Sequence, residues 1–267
     1  MQKTIFITGA SSGLGKATAK LFQSKGWNVI ATMRNPEIET ELTQLENVTV
    51  LKLDVTNVYQ IMETIKNVIE NHSVDVVLNN VGYGLIGPLE TATDEQLVKQ
   101  LDTNLLGTIR VTQAFIPYFR EKKKGLFVSI KSIAGLIGLP LTSVYNATKW
   151  ALEGWSEGLY FELKELGIRI KTIAPGGIKT DFAGRSLETS SHEAYAEIEK
   201  KLYSSFNPDD FTSVEEIAKN VYETVIDDSD TLRYIAGADA KTTYKRRLEI
   251  DSESFRIEMH QAYFGNN

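Results

Sequence analysis

The sequence predicts an α/β fold, a doubly wound sandwich with a seven-stranded, mostly parallel sheet. Seven short runs rich in valine and isoleucine punctuate the chain, at Thr4–Thr8, Asn28–Met33, Val48–Leu53, Asp75–Asn79, Gly125–Ile130, Arg169–Ala174 and Leu232–Ala236. Several read as continuous apolar runs rather than alternating ones, as strands buried on both faces do. Longer helix-like segments separate them, and this β/α alternation defines a Rossmann-type architecture.

The chain of 267 residues, 42% hydrophobic and 24% charged, is long enough to bury a substantial core. No internal repeat or Pro/Gly/Ser-rich linker divides it, so one domain over 1–267 is expected. The absence of cysteine excludes disulfides and thiolate chemistry and favours a reducing compartment. His72, His192 and His260 lie far apart and outside any paired-ligand spacing, so no metal is expected. The chain passes from Met1, Gln2 and Lys3 straight into a β-branched run, which reads as a cytoplasmic start without a signal peptide. No apolar stretch approaches the roughly 20 residues of a membrane span. A net charge of −6 argues against a nucleic-acid-binding surface, and the run Glu121–Lys124 reads as a solvated helix end.

The first strand leads directly into Thr8-Gly9-Ala10-Ser11-Ser12-Gly13-Leu14-Gly15, followed by a helix-like segment closed by Gly26. Without Cβ atoms, glycines permit a tight turn, close approach to a pyrophosphate and close helix–strand packing, with helix N-terminal amides facing the anion. Gly9, Ser11, Ser12, Gly13, Leu14 and Gly15 are therefore candidate cofactor contacts; the position in the first strand–helix turn is what makes the signal strong. The second strand ends Ala31-Thr32-Met33-Arg34, with no acid at about Met33 to hold a ribose 2′-hydroxyl. Arg34 can instead pair with a 2′-phosphate by charge and planar geometry, which favours NADP(H) over NAD(H). The alternative is that Arg34 is solvated beside Asn35.

Tyr145-x-x-x-Lys149 places a phenol and an ammonium one helical turn apart. The same spacing occurs at Tyr118/Lys122 and Tyr160/Lys164, but only Tyr145 has a serine 13 residues upstream, Ser132, at the C-terminal end of a strand. Open α/β sheets bind ligands at that edge. Hydride transfer between an alcohol carbon and a nicotinamide needs a partner for the hydroxyl proton, and free tyrosine, with a pKa near 10, is a poor base at neutral pH. Lowering it by about 3 units corresponds to roughly 4 kcal/mol, which Lys149 and an oxidised nicotinamide could supply together. Lys149 is also expected to bind the nicotinamide ribose hydroxyls.

The glycine spacing, Gly-x-x-x-Gly-x-Gly, with Tyr-x-x-x-Lys and its upstream serine, resembles the short-chain dehydrogenase/reductase family over nearly the whole chain. The resemblance implies an adenine-contacting acid at Asp54, in Leu53-Asp54-Val55. It implies further cofactor contacts at Asn80 and Gly82 in Asn79-Asn80-Val81-Gly82, where Val81 replaces the usual alanine. It adds Asn104 to Ser132, Tyr145 and Lys149 as the catalytic set. Ser132 would hydrogen-bond the substrate oxygen, and Asn104 would position a water that relays protons from Lys149. Simple structural roles, a cap for Ser132 and a core contact for Asn104, are the alternatives. Pro175, Gly176, Ile178 and Thr180 fall in the segment that closes over the nicotinamide, with the Ile178 backbone and Thr180 hydroxyl on the carboxamide. Lys131 stands where the family often has a small residue, and is expected to point away from the site.

Ala31–Pro36 and Asn79–Gly84 resemble the subgroup related to 17β-hydroxysteroid dehydrogenases, which implies a small hydrophobic alcohol, ketone or aldehyde as substrate. The expected rim, Tyr83–Ile86 and Leu136–Leu141, is largely apolar. The stretch Phe182–Thr212 fits no strand; its Phe182, Tyr195, Tyr203, Phe206 and Phe211 either cover the ligand as a lid or pack the excursion against the body. Trp150, Ala151, Leu152, Trp155, Leu159, Tyr160 and Phe161 make the catalytic helix apolar on more than one face, which predicts a homodimer or homotetramer. The tail from Asp239, with Phe255, Ile257, Met259, Tyr263 and Phe264, is expected to close the pocket or the interface. A non-catalytic dinucleotide sensor would lack catalytic positions, and none is lacking. An NAD-dependent sugar-nucleotide epimerase or dehydratase would have a longer chain and a different glycine spacing.

Overall fold

The structure, a computed structural model, describes residues 2–179, 186–205 and 207–265. Its strands are β1 (Thr4–Thr8), β2 (Asn28–Met33), β3 (Val48–Lys52), β4 (Val76–Asn79), β5 (Gly84–Ile86), β6 (Gly125–Ile130), β7 (Ile168–Pro175), β8 (Ile178–Lys179), β9 (Leu187–Thr189), β10 (Thr212–Ser213) and β11 (Arg233–Ala236). Seven of them form one sheet in the order β11-β7-β6-β4-β1-β2-β3, every pairing parallel. The seven predicted runs are these seven strands, shifted by a residue or so at some ends.

Successive strand residues point to opposite faces, and both faces are covered. Ile5 and Ile7 pack with Phe22 of α1 (Gly13–Ser24) and with Ile217 and Val221 of α7 (Val214–Ile226). Between them, Phe6 turns to the other layer and meets Ile61 and Ile65 of α2 (Val58–Asn71) and Phe115 and Phe119 of α4 (Gly107–Lys122). Leu159 and Leu163 of α5 (Ser143–Lys164) complete that layer. Each such side chain removed from water contributes about 1.5–3 kcal/mol, which commits the apolar runs to the sheet interior.

The sheet grows from β1 through β2 to β3, after which the chain crosses back to place β4 on the other side of β1. That reversal opens a crevice above the carboxyl ends of β1 and β4, where ligands of open α/β sheets bind. The glycine-rich turn follows β1, Asn80-Val81-Gly82 follows β4, and Ser132 follows β6.

The stretch Phe182–Thr212 is not strandless, which corrects the sequence expectation. Leu187–Thr189 pairs in parallel with Gly84–Ile86, and Thr212 begins a pair with Ile178–Lys179. Two- and three-residue strands are too short to show periodicity, and their partners lie far away in sequence. Helix α6 (Ala196–Ser205) lies between them. Tyr203 is exposed, Tyr195 hydrogen-bonds Glu90, and the Phe211 ring abuts Gly177. Phe182 and Phe206 lie outside the described residues.

The tail forms α8 (Ala238–Glu249) and α9 (Ser252–Phe264). Phe255 is buried with Ile133, Leu136 and Ile137, and Met259 packs beside them, so the tail covers the loop that follows Ser132. Along α5, Leu152, Leu159 and Leu163 are buried while Trp150 is 46% and Phe161 75% exposed, so the helix carries apolar side chains on two faces. Among the described residues, no helix is long and apolar enough to cross a membrane.

Candidate active site

The turn after β1 is built around backbone that favours glycine. Gly9 and Gly13 have φ of +70° and +51°. A Cβ on Gly15 would stand 2.2 Å from the Gly9 carbonyl oxygen and 2.5 Å from Asn80 Nδ2, so α1 presses directly on the turn. Ser12 is the N-cap of α1 in extended backbone and its hydroxyl makes no cap bond; its carbonyl takes the Lys16 amide at 3.2 Å. The amides of Gly13, Leu14 and Gly15 at the helix start thus have no intrahelical acceptor, and they face the crevice side of β1. Asn80 Nδ2 donates to the Thr8 and Gly9 carbonyls at 3.1 and 3.0 Å, so this side chain holds the turn in shape. Val81 presses on it too: its Cγ2 lies 2.9 Å from a Cβ position on Gly9.

Arg34 is exposed at the end of β2 and has no ion-pair or hydrogen-bond partner among the described residues. The acids that follow are engaged elsewhere: Glu39 pairs with Lys16 at 3.1 Å, and Glu41 with Lys16 at 2.9 Å and with Lys20. Asp54 Oδ1 accepts from the Thr56 amide and hydroxyl at 2.9 and 2.7 Å, which fixes the carboxylate at the end of the third strand. Val55 is buried, and its Cγ2 lies 2.7 Å from a Cβ position on Gly107. A shaped glycine turn, free helix-start amides and an unpaired guanidinium fit a dinucleotide with an anionic pyrophosphate.

Ser132, Tyr145, Lys149 and Asn104 come together above β6 and β4. Ser132 Oγ accepts the Ala134 amide at 3.1 Å, as a cap does, and also hydrogen-bonds Tyr145. The Lys149 ammonium donates to the Ile130 carbonyl at 3.2 Å and lies 5.7 Å from the centre of the Tyr145 ring. From a Cβ position on Gly82, Lys149 Nζ is 3.3 Å and Asn104 Oδ1 3.5 Å away, so Gly82 is where these two side chains converge. Contrary to the lowering expected from the sequence, burial pushes the Tyr145 phenol above its ordinary value, and the Ser132 hydrogen bond, rather than Lys149, opposes this. Burial lowers the Lys149 ammonium to about 8.

The other Tyr-x-x-x-Lys pairs are closed on local partners. Tyr118 accepts the Val74 amide at 3.0 Å and Lys122 caps the Val74 carbonyl at 2.8 Å, while Tyr160 and Lys164 share Asp230. Position at the carboxyl edge of the sheet, not spacing, distinguishes Tyr145.

Asn104 lies in a π-helical segment, Asp102–Leu106, that joins α3 (Asp94–Leu101) to α4, a distortion common at functional sites. Its side chain is engaged by the Tyr83 backbone, taking the amide at 3.0 Å and giving to the carbonyl at 2.8 Å. Its main-chain carbonyl accepts the Thr108 hydroxyl at 3.2 Å. One turn earlier, the fully buried Gln100 repeats this arrangement, donating to the Tyr83 carbonyl at 2.9 Å and accepting the Leu85 amide at 2.7 Å.

The segment after β7 is latched by a residue that sequence reasoning missed. Asp239 Oδ2 accepts the Gly177 amide at 2.8 Å and lies 2.0 Å from a Cβ position on Gly176. The Gly177 carbonyl takes the Thr212 amide at 2.9 Å. Pro175, Gly176 and Ile178 are thereby held over the carboxyl end of β7. Thr180 lies outside the described residues.

The chain is similar to known proteins. Residues 3–191 match the short chain dehydrogenase family. A 3-ketodihydrosphingosine reductase of Bacteroides thetaiotaomicron is 36% identical over 197 residues, 72% of this chain and 71% of that protein. Retinol dehydrogenase 8 of Bos taurus is 30% identical over 254 residues, 92% of this chain and 81% of its own length. The crystal structure of a short-chain dehydrogenase from Streptomyces avermitilis superposes with a TM-score of 0.84 at 29% identity, covering 98% of this chain and 96% of that one. Similar folds carry different cofactors: ElxO, with 27% identity and a TM-score of 0.75, binds NADP, whereas a Burkholderia phymatum protein, with 21% identity and a TM-score of 0.81, binds NAD. With the family match spanning most of the fold and these relatives aligned over its crevice, the chain belongs to the short-chain dehydrogenases and is an oxidoreductase of that family.

Proposed function

We propose that the protein interconverts hydrophobic ketones or aldehydes and their alcohols with NADP(H), and that it is set up for the reductive direction. The observation that carries this reading is the convergence of Tyr145, Ser132 and Lys149 beside the glycine turn. When bound, the nicotinamide supplies or accepts the hydride. Ser132 holds the substrate oxygen against Tyr145, and the phenol passes its proton to that oxygen. A phenol raised by burial is a neutral proton donor at physiological pH, which suits reduction. Lys149 steadies the phenol oxygen electrostatically and binds the ribose hydroxyls. The backbone at Gly13–Gly15 receives the pyrophosphate, Asp54 the adenine and Arg34 the 2′-phosphate.

Apolar Leu85, Leu136 and Ile137 near this edge, and the lipidic substrates named for the reductase and retinol dehydrogenase relatives, support a hydrophobic carbonyl. The direct test is oxidation of NADPH and NADH against carbonyls ranging from small polar ketones to retinal and long-chain ketones. Turnover on apolar carbonyls with NADPH supports the reading; cofactor binding without turnover across the panel favours a sensor.

In the same assay, Arg34→Ala is expected to cut the NADPH/NADH ratio of kcat/KM by roughly tenfold or more, the worth of a charge-assisted phosphate contact of about 1.5 kcal/mol or above. An unchanged ratio removes Arg34 from the 2′-phosphate site. The kcat/KM for reduction is expected to fall as pH rises through about 8, where the buried Lys149 ammonium loses its charge. A profile flat to pH about 10, the range of an ordinary lysine, would show that Lys149 does not act as the cation.

A further inference from the structure

Lys131 does point away from the cofactor crevice, but it does not reach solvent. It is 2% exposed and forms an ion pair with Glu153, itself 8% exposed. Glu153 stands one turn after Lys149 on α5, and both are buried. Arg233 of β11 joins the pair, with its Nε 2.5 Å from Glu153 Oε1 and its other nitrogens 2.8 Å from Glu157 and 3.2 Å from the Tyr244 hydroxyl of α8. Around Lys131 and Glu153, therefore, the charged and titratable groups are Lys149 and Glu157 on α5, Arg233 on β11 and Tyr244 on α8.

The backbone gives this cluster its reach into the site. The Ile130–Lys131 peptide donates its amide to the Ile173 carbonyl of β7 at 2.8 Å, and its carbonyl receives the Lys149 ammonium at 3.2 Å. The end of β6 and helix α5 are thus joined by two reciprocal lysines: Lys149 reaches from the helix to the strand, and Lys131 from the strand to the helix. Ser132 lies immediately beyond this double tie, and its turn packs so closely on α5 that a Cβ on Gly135 would stand 2.6 Å from the Lys149 carbonyl oxygen.

We propose that the buried Lys131–Glu153 ion pair fixes the register between strand β6 and helix α5, making Lys131 and Glu153 positioning residues for Ser132 and Lys149. The proposal rests on the reading of the site given above. Buried ion pairs add little net stability over an apolar pair of similar size, so geometry and local field are what this one supplies. Burial first, then the charge of Arg233, lowers the Lys131 ammonium to about 7, while Glu157 acts in the opposite sense.

The experiment compares Lys131→Met, Glu153→Gln and the double variant with the wild type in thermal unfolding, kcat, KM and the alkaline limb of the pH profile. Each single variant is expected to lose about tenfold in kcat with KM for the carbonyl changed by less than about threefold. The alkaline limb is expected to move down in Glu153→Gln, which leaves Lys131 and Arg233 uncompensated near Lys149, and up in Lys131→Met. In the double variant, thermal stability recovers while kcat stays low. A double variant that regains kcat along with stability overturns the proposal, as do single variants whose alkaline limb does not move in opposite directions. Should the double variant not fold, the isosteric Glu153→Gln decides by its alkaline limb alone. If the wild type binds NADPH but reduces no carbonyl, the functional reading fails separately. The pair is then judged by NADPH affinity, expected to weaken about tenfold in either single variant through Lys149 and unchanged if the pair is only structural.

Discussion

Tyr145→Phe is expected to lower kcat for carbonyl reduction by about a thousandfold while leaving NADPH affinity within about threefold, because general acid catalysis by one positioned side chain is worth roughly 10²–10⁴. The substitution removes a single oxygen and keeps the ring in its place on α5. Ser132 loses its bond to the phenol but retains the Ala134 amide, so the turn after β6 stays capped. Lys149 is held by the Ile130 carbonyl, not by the phenol, so its position survives as well. The change therefore isolates the proton. Steady-state NADPH oxidation and a fluorescence titration of NADPH measure the two quantities independently. A variant that keeps more than about a tenth of wild-type kcat would exclude Tyr145 as the proton donor.

The sheet was legible in the sequence because a doubly covered strand advertises itself. Thr4–Thr8, Asn28–Met33 and Gly125–Ile130 are buried along almost their whole length, and they occupy the predicted positions to the residue. The candidate site was legible where backbone chemistry dictates residue type. Gly9 and Gly13 need positive φ, Gly15 needs the space of a missing side chain, and Tyr145 is singled out by a serine at a strand end. What stayed hidden depends on contacts between distant segments. Nothing local in Leu187–Thr189 reveals that Gly84–Ile86 will pair with it. Asp239 reaches the Gly177 amide from 62 residues away, and Lys131 finds Glu153 only once α5 has packed on the sheet. The π-helical turn at Asn104 has no composition signal either, since Asp102–Leu106 reads as ordinary helix. Asn80 shows how a motif residue can be found and still have its role refined, for its amide shapes the turn from behind.

Gly15→Ala is expected to cause the second large effect, by steric means. The added methyl would meet the Gly9 carbonyl oxygen at 2.2 Å, the Gly9 carbonyl carbon at 2.9 Å and Asn80 Nδ2 at 2.5 Å. Two of these are backbone atoms in a turn already fixed by Asn80, so no flexible side chain can absorb the clash; either α1 or the turn must shift. Overpacking of this kind costs about 1–3 kcal/mol, and the shift also displaces the helix-start amides from any bound pyrophosphate. NADPH affinity should accordingly fall by about a hundredfold, the equivalent of roughly 2.7 kcal/mol. Gly154→Ala provides the contrast. It lies within α5 with no atom within 4 Å of its Cβ position among the described residues, and it has no positive φ. Replacing glycine by alanine in a helix interior adds about 1 kcal/mol of stability, so that variant should melt higher and bind NADPH as the wild type does. Thermal unfolding together with NADPH titration tests both. If Gly15→Ala binds NADPH with wild-type affinity, the turn after β1 is not the pyrophosphate site, and the placement of the cofactor along the β1–β4 crevice fails with it.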